Sequence, residues 1–329
     1  MHHAQSPRVV VITGASSGIG EATAEAFAAE RAILVLAARD LDATEAVARR
    51  CRAKGAAALA VQVDIAEIDH VRALAEAACD FGGGIDVWVS NPGVGAVGRY
   101  DQVPMEAHER VIRTNLIGHM NEAHAALPIF RAQGQGVFVN VISLGGFAST
   151  PFAAAYGASK FGLRGFSEAL RGELQDQPGI HVCDIYPSFV DTPGIGHGAN
   201  YTGRRLSAPP PLLDARRVAR AICRVADRPR ATTMVGAVTA LVRVGHAISP
   251  QLSTHLMGGF LRGYFARAPR SAISDGNLHE PPRIAGGIDG GLRTSGNDVT
   301  KTMVRLAVFG GATVLLGRML TRSDRGRRR

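Results

Sequence analysis

Tyr156 and Lys160 stand four residues apart in Tyr156-Gly157-Ala158-Ser159-Lys160. In a helix that spacing puts both side chains on one face. A free tyrosine, with a pKa of about 10, is a poor acid or base near neutrality. A neighbouring ammonium favours the phenolate and lowers that value. The pair therefore suits giving a proton to the oxygen of a carbonyl under reduction, or taking one from an alcohol. Of the 37 basic residues only Lys54, Lys160 and Lys301 are lysines, so composition alone does not account for a lysine at this place. Ser143 directly follows the apolar run Val137–Ile142. A hydroxyl at the C-terminal end of a buried strand can polarise a substrate oxygen. Asn115 interrupts the otherwise apolar Leu116-Ile117 stretch of a helix. It is a mediocre helix former and costly to bury without partners, which suits holding a water or the Lys160 region. Taken singly, a structural tyrosine, a turn serine and a buried asparagine remain open alternatives.

A second group of residues has the chemistry of phosphate binding. Thr13-Gly14-Ala15-Ser16-Ser17-Gly18-Ile19-Gly20 lies between an apolar β-branched run and an Ala-rich helical stretch. A dinucleotide pyrophosphate needs backbone N–H groups at close range and the positive end of a helix. Gly14 permits the tight turn, Gly18 the approach of backbone to phosphate, and Gly20 the close packing of helix on strand. The spacing is G-x-x-x-G-x-G, and a glycine-rich loop without a ligand is the alternative. At the end of the next strand, Ala37-Ala38-Arg39-Asp40 offers a cation where an acid would select the ribose 2′-hydroxyl of NAD. Arg39 is placed to meet a 2′-phosphate, so NADP(H) is expected over NAD(H). Asp40 either neutralises it or caps the following helix.

The elements that must carry these residues form an alternating series. Strands are expected at Val9–Thr13, Ile33–Ala38, Leu59–Val63, Val87–Ser90, Val137–Ile142, Val182–Tyr186 and Thr232–Val235. Helices are expected at Gly18–Glu30, Leu41–Lys54, around Val71–Phe81, and at Asp214–Ala226. Continuous apolar strands between helices imply an α/β fold whose parallel sheet is doubly wound and buried on both faces, a Rossmann-type domain over 1–235. Two further helices, Ala237–Ala247 and Gln251–Arg267, make a helical C-terminal extension over 236–268. Pro193–Leu213 reads as a long loop and candidate lid. The Gly/Pro-rich stretch 269–300 reads as a linker without its own core, and 301–329 as an apolar segment with a basic tail. Arg216, Arg220 and Arg224 fall at i, i+4 spacing and read as a solvated helix face.

The formal charge of +9 suggests nucleic acid until its distribution is considered. The last 29 residues hold eight Lys/Arg against Asp324 alone, and the rest of the chain is nearly balanced. A charged tail is more often solvated, so no nucleic-acid partner is expected. Cys51, Cys79, Cys183 and Cys223 form no CxxC pair, which leaves no metal site and no disulfide framework to expect and suits a reducing, cytoplasmic compartment. The first residues lack the basic start and apolar run of a secretory signal.

Together the TGxxxGIG turn, the preceding serine, the helical asparagine and the YxxxK pair resemble the short-chain dehydrogenase/reductase family over about Arg8 to Val235. The resemblance implies that Tyr156 is the acid/base, that Ser143 orients the substrate, and that Lys160 binds the nicotinamide ribose and lowers the tyrosine pKa. It implies that Asn115 completes a proton relay. Cofactor contacts are implied for Gly14, Ser16, Ser17, Gly18, Ile19 and Gly20, and for Arg39, Asp64 at the adenine edge, Asn91 and Gly93. They are implied also for Tyr156, Lys160, Pro187, Val190, and Thr192 at the carboxamide. Two places depart from the family pattern: Asn91-Pro92-Gly93 replaces N-A-G, and Pro187-Ser188 replaces Pro-Gly. The expected substrate is a small carbonyl or alcohol, apolar because Ile195, Tyr201, Leu206, Leu212, Leu213, Leu256 and Phe260 are at hand. An NAD-linked alcohol dehydrogenase and a non-catalytic NADP-binding module are the alternatives. A homodimer or homotetramer is implied through the helices spanning about Ala107–Arg131 and Tyr156–Gln175. Leu306–Gly317, twelve residues without a charge, is either a docked helix or a membrane-surface anchor; as a helix of about 18 Å it falls short of a bilayer core of about 30 Å.

Overall fold

The computed structural model describes residues 7–209, 211–282 and 286–293. Its centre is a parallel sheet of seven strands: β1 (Val9–Thr13), β2 (Ile33–Ala38), β3 (Ala57–Gln62), β4 (Val87–Ser90), β5 (Gly136–Val141), β6 (Ile180–Pro187) and β7 (Thr232–Val235). Their spatial order is β3-β2-β1-β4-β5-β6-β7, with the reversal between β1 and β4. Every residue of β1, β4 and β5 is buried, as continuous apolar runs require.

Alternate side chains leave the sheet on opposite faces and meet different helices. Val10, Ile12, Leu34, Leu36 and Val139 pack with Phe27 of α1 (Gly18–Ala29), Val47 of α2 (Leu41–Ala53) and Ile222 of α7 (Ala215–Asp227). Val11, Val35, Trp88 and Phe138 pack with Leu74 of α3 (Ile68–Gly82), Phe130 of α5 (Gly118–Gln133) and Leu170 of α6 (Ala154–Glu173). Asp40 caps α2 by accepting from Ala43 N at 2.9 Å, which decides its role. Arg216, Arg220 and Arg224 lie on the exposed face of α7, as expected.

The helix bearing Asn115 is not regular. α4 (Met105–Ile112) passes through a π turn at Arg113–Ile117 before continuing as α5. Such turns are rare and recur at functional sites. α8 (Ala237–Ile248) and α9 (Pro250–Arg267) form the helical extension.

Two expectations are corrected. Pro193–Leu213 is partly ordered by pairing: Ala199–Asn200 runs parallel to Ala96–Val97, and Leu213–Asp214 to Val190–Asp191. The stretch expected as a free linker lies folded on the body over its described part, with Leu278 fully buried and Ile288 at 8% exposure. The apolar segment Leu306–Gly317 and the basic tail lie outside the described residues. Among the described residues no helix is long and apolar enough to cross a membrane.

One buried acid sits beneath the sheet's C-terminal edge. Glu122 of α5 is fully buried and accepts from Trp88 Nε1 at 3.1 Å and from the Ser90 hydroxyl. Burial pushes its carboxyl up to about 7, and these hydrogen bonds only partly oppose the shift. The folded state thus keeps a proton that the unfolded chain releases near its ordinary value of 4.5. This contribution is present at low pH and fades as pH rises through about 7. Glu122→Gln keeps the shape and removes the titration. In urea titrations from pH 5 to 8.5 the stability of the variant relative to wild type should increase with pH, reaching a gap on the order of 2 kcal/mol at the top of the range.

Candidate active site

The strand ends β1, β4, β5 and β6 open onto one cavity of about 540 Å³. It runs from Arg39 and Asp64, past the glycine turn, to Tyr156 and Lys160, and on to the helical extension.

The glycine turn is built as its spacing demands. Gly14 and Gly18 have φ of 63° and 58°, and a Cβ on Gly20 would lie 2.0 Å from the Gly14 carbonyl oxygen. Gly18 faces Thr192, so the turn and the segment after β6 close on each other. Asn91 braces this turn by donating Nδ2 to the carbonyls of Thr13 and Gly14 at 3.3 and 3.2 Å. Ser16, Ser17, Ile19, Gly93, Pro187 and Val190 all line the same cavity.

At the far end, Asp64 accepts from Arg110 Nη2 at 2.5 Å and from Ala66 N at 3.0 Å. Burial works to raise its carboxyl, but the Arg110 bond and charge outweigh it and hold it below the usual range. Arg39 faces the same corner, half-buried, with its guanidinium bonded to backbone carbonyls of residues 277–279.

Tyr156 and Lys160 share one face of α6, as their spacing implies. The tyrosine ring is flanked by glycines: a Cβ on Gly145 would be 3.3 Å from it, and one on Gly95 4.0 Å. Burial pushes the phenol above its ordinary value, and a hydrogen bond with Ser143 opposes the shift. Ser143 itself accepts from Gly145 N at 3.1 Å. The Lys160 ammonium stands 5.8 Å from the centroid of the tyrosine ring. It donates to the Val141 carbonyl at 3.3 Å, and burial pushes it down to about 7.

Asn115 works through a neighbour. Its Oδ1 accepts from Val94 N at 2.8 Å and its Nδ2 donates to Val94 O at 2.9 Å, so it clamps the loop after β4 as a second strand would. That clamp seats Gly93, where a Cβ would come 3.7 Å from the Lys160 ammonium. Pro92 keeps its carbonyl in use: His119 Nε2 lies 2.8 Å from it, and the other ring nitrogen 3.0 Å from Asn140. Burial lowers the imidazole to about 4, so the ring is neutral; Asn140 presents Oδ1 to it and donates Nδ2 to the Ser167 hydroxyl at 2.9 Å. Sequence reasoning missed His119 and Glu122, since a lone His or Glu in a helix carries no local signal.

The apolar end of the cavity differs in part from expectation. Ile195, Leu206 and Phe260 line it; Tyr201, Leu212, Leu213 and Leu256 do not. Leu213 is in the core, Leu256 is 61% exposed, and Tyr201 packs on Gly98 and donates its hydroxyl to Asp275. Met257, Leu261, Tyr264 and Phe265 of α9 take their place. Their spacing of three and four residues with Phe260 was the available signal.

These features define a dinucleotide-type α/β site with a Tyr–Lys pair at its centre. The sequence model of the short chain dehydrogenase family matches residues 8–197, and the chain belongs to that family. It is 33% identical over 258 residues to the uncharacterized oxidoreductase YxnA of Bacillus subtilis (strain 168), covering 76% of this chain and 71% of the relative. A Burkholderia phymatum short chain dehydrogenase/reductase in complex with NAD superposes with a TM-score of 0.65 at 25% identity, over 82% of this chain and 98% of that one. A metagenomic short-chain oxidoreductase in complex with NADP gives 0.60 at 27% identity, over 70% and 98%. The protein is thus an oxidoreductase of the class acting on CH–OH and C=O groups.

The buried ammonium has a thermodynamic signature. The unfolded chain holds the Lys160 proton up to its ordinary 10.5, while the folded chain releases it near 7. Wild-type stability from this group is therefore lowest below about 7 and rises between there and 10.5. Lys160→Met removes the buried charge, so it should stabilise the fold by a few kcal/mol at pH 6, on the order set by the shift. The gain should shrink toward pH 10. Denaturant titrations at both pH values measure it, and a variant less stable than wild type at pH 6 would contradict the assignment.

Proposed function

We propose that the protein is an NADP(H)-dependent oxidoreductase that interconverts a carbonyl and an alcohol, with Tyr156 as the acid/base and an apolar substrate. The observation that carries this reading is a single cavity with the glycine turn, Arg39 and Asp64 at one end and Tyr156, Lys160 and Ser143 at the other. The fit to a dinucleotide rests on close approaches that only glycine allows at residues 14, 18 and 20, and on half-buried Arg39, which has no carboxylate bonded to it among the described residues.

A bound nicotinamide cofactor supplies or accepts the hydride. The protein handles the proton and the geometry. Ser143 donates to the substrate oxygen and holds it beside the Tyr156 hydroxyl. Tyr156 gives its proton as the alkoxide forms and takes it back in the reverse direction. The Lys160 charge, 5.8 Å from the ring, lowers the energy of the phenolate left behind. Asn115 and His119 hold Val94 and Pro92 so that this wall does not yield. The apolar walls of α9 exclude water and select an apolar substrate.

Tyr156→Phe should bind NADPH nearly as wild type does, yet lose at least about 100-fold in kcat. Titration of NADPH fluorescence and turnover on a panel of ketones and aldehydes measure the two effects. Near-normal turnover by this variant would refute Tyr156 as the proton donor. An NAD-linked dehydrogenase is the second reading, favoured by the engagement of Arg39 with carbonyls of its own chain.

The assembly proposed is a homodimer or homotetramer. Ile117 and Met120 near the start of α5 and Phe161 on α6 each leave more than a third of their surface exposed, on the helices expected to pair. Light scattering at micromolar concentration should give at least twice the 34.6 kDa chain mass. Replacing Met120 and Phe161 by Glu should lower it.

A further inference from the structure

Beyond α9 the chain turns back across the cavity. Arg270 and Ser274 bridge to Arg204 and Asn200, and Asn277 N donates to the His197 carbonyl at 2.8 Å. Leu278 is fully buried among Val94, Val103, Ala107 and Val111. Farther on, Gly287 O accepts from Gly18 N at 2.8 Å, and the Asp191 carboxylate receives Leu292 N and Arg293 N at 2.9 and 3.1 Å. The described parts of this strap therefore lie along the glycine turn and the Arg39 corner.

At that corner the strap offers only carbonyl oxygens. Arg39 Nη2 donates to Asn277 O at 2.6 Å, and Nη1 donates to Leu278 O and His279 O at 3.0 and 3.1 Å. Leu278 O also accepts from Arg110 Nε at 2.9 Å. One oxygen is thus shared by two guanidinium groups, as a phosphate oxygen would be. Asp64, the acid beside them, is already bonded to Arg110 and to Ala66 N. Arg39 is a cation satisfied by neutral acceptors, each a weaker partner than an anion of matching shape.

We propose that the strap sets cofactor choice: the carbonyls of Asn277, Leu278 and His279 compete with the 2′-phosphate of NADP(H) for Arg39. This rests on the reading of the cavity as a dinucleotide site. A phosphate at Arg39 would meet three carbonyl oxygens of like partial charge, so it binds only as residues 277–279 lift away. A cofactor ending in a 2′-hydroxyl makes no such demand and leaves residues 277–279 in place; displacing Gly287 O from Gly18 N is a cost common to both cofactors. The affinity for NADP(H) is therefore the affinity of Arg39 for phosphate less the cost of displacing the strap.

The test uses the full chain with 2′,5′-ADP and 5′-ADP, isomers that carry the second phosphate on the 2′-oxygen or on the 5′-phosphate, beside NADPH and NADH. Hydrogen exchange of backbone amides at 276–280 should speed up with 2′,5′-ADP and NADPH, and not with 5′-ADP or NADH. Leu278→Ser loosens the strap without touching Arg39. Calorimetry should show 2′,5′-ADP binding at least about tenfold tighter to this variant, with 5′-ADP changed less than about twofold. Arg39→Ala in the Leu278→Ser background should erase the gain. Equal protection of 276–280 by NADPH and NADH, or weaker 2′,5′-ADP binding to Leu278→Ser, overturns the proposal and makes the strap a roof for either cofactor. If the wild type binds neither dinucleotide nor either ADP, the cofactor reading falls together with it.

Discussion

Lys160 carries an ammonium into a place where its exposure is 2% and its one protein partner among the described residues is the Val141 carbonyl. A buried charge without a carboxylate is unfavourable, and the chain relieves that cost by neutralising it or by supplying an anion or dipoles. Here the surroundings are fixed so that the lysine cannot relax outward. α6 holds its backbone against the sheet through Leu163 and Leu170. The loop after β4 is held by Asn115 and His119, which leave the bare Gly93 backbone beside the ammonium. Even the irregular π turn at Arg113–Ile117 has a purpose in this frame: it sets Asn115 to reach both polar groups of Val94. Stability is given up at one point and the supporting shell is rigid, as a site that must hold charge in a fixed position requires.

Most of the frame was legible because it follows from local rules. Val9–Thr13 could be placed as a buried strand since five apolar or β-branched residues in a row have no other simple home, and the glycine turn followed from its position between strand and helix. What escaped notice depends on partners distant in sequence. Among its described residues the strap holds two large buried apolar side chains, Leu278 and Ile288, and composition alone makes it a linker. Its grip comes from backbone oxygens on Arg39 and from Asp191, whose partners lie about a hundred residues away. Asp64 lines the cavity, and its ion pair with Arg110 crosses 46 positions. In α9 the error was one of helical phase: Leu256 points to solvent while Met257 and Phe260 line the cavity.

The cavity also divides along the chain. The glycine turn, Ser143, Tyr156 and Lys160 all fall within the family match at 8–197. The apolar wall is shared: Leu144, Phe189 and Ile195 fall within that match, and Leu206 and the α9 side chains come after it. Proton handling needs fixed distances, and those are supplied by strand ends and a helix whose positions the sheet dictates. A wall of apolar side chains needs only volume and shape, so a helical hairpin packed over the opening can supply it without disturbing the chemistry beneath.

The strap joins these two parts by hydrogen bonds as well as by the buried Leu278. Its Asn277 binds His197 through N–H and Arg39 through C=O, so one residue is tied with one group to the segment bearing Ile195 and with the other to the Arg39 corner. Tyr201 adds a second tie from the lid to Asp275. Backbone groups two bonds apart in a packed segment cannot move independently. A displacement of Asn277 that frees Arg39 also loads the bond to His197. One residue thus ties the two ends of the cavity together, and it is through an element held from both sides that coupling between sites travels.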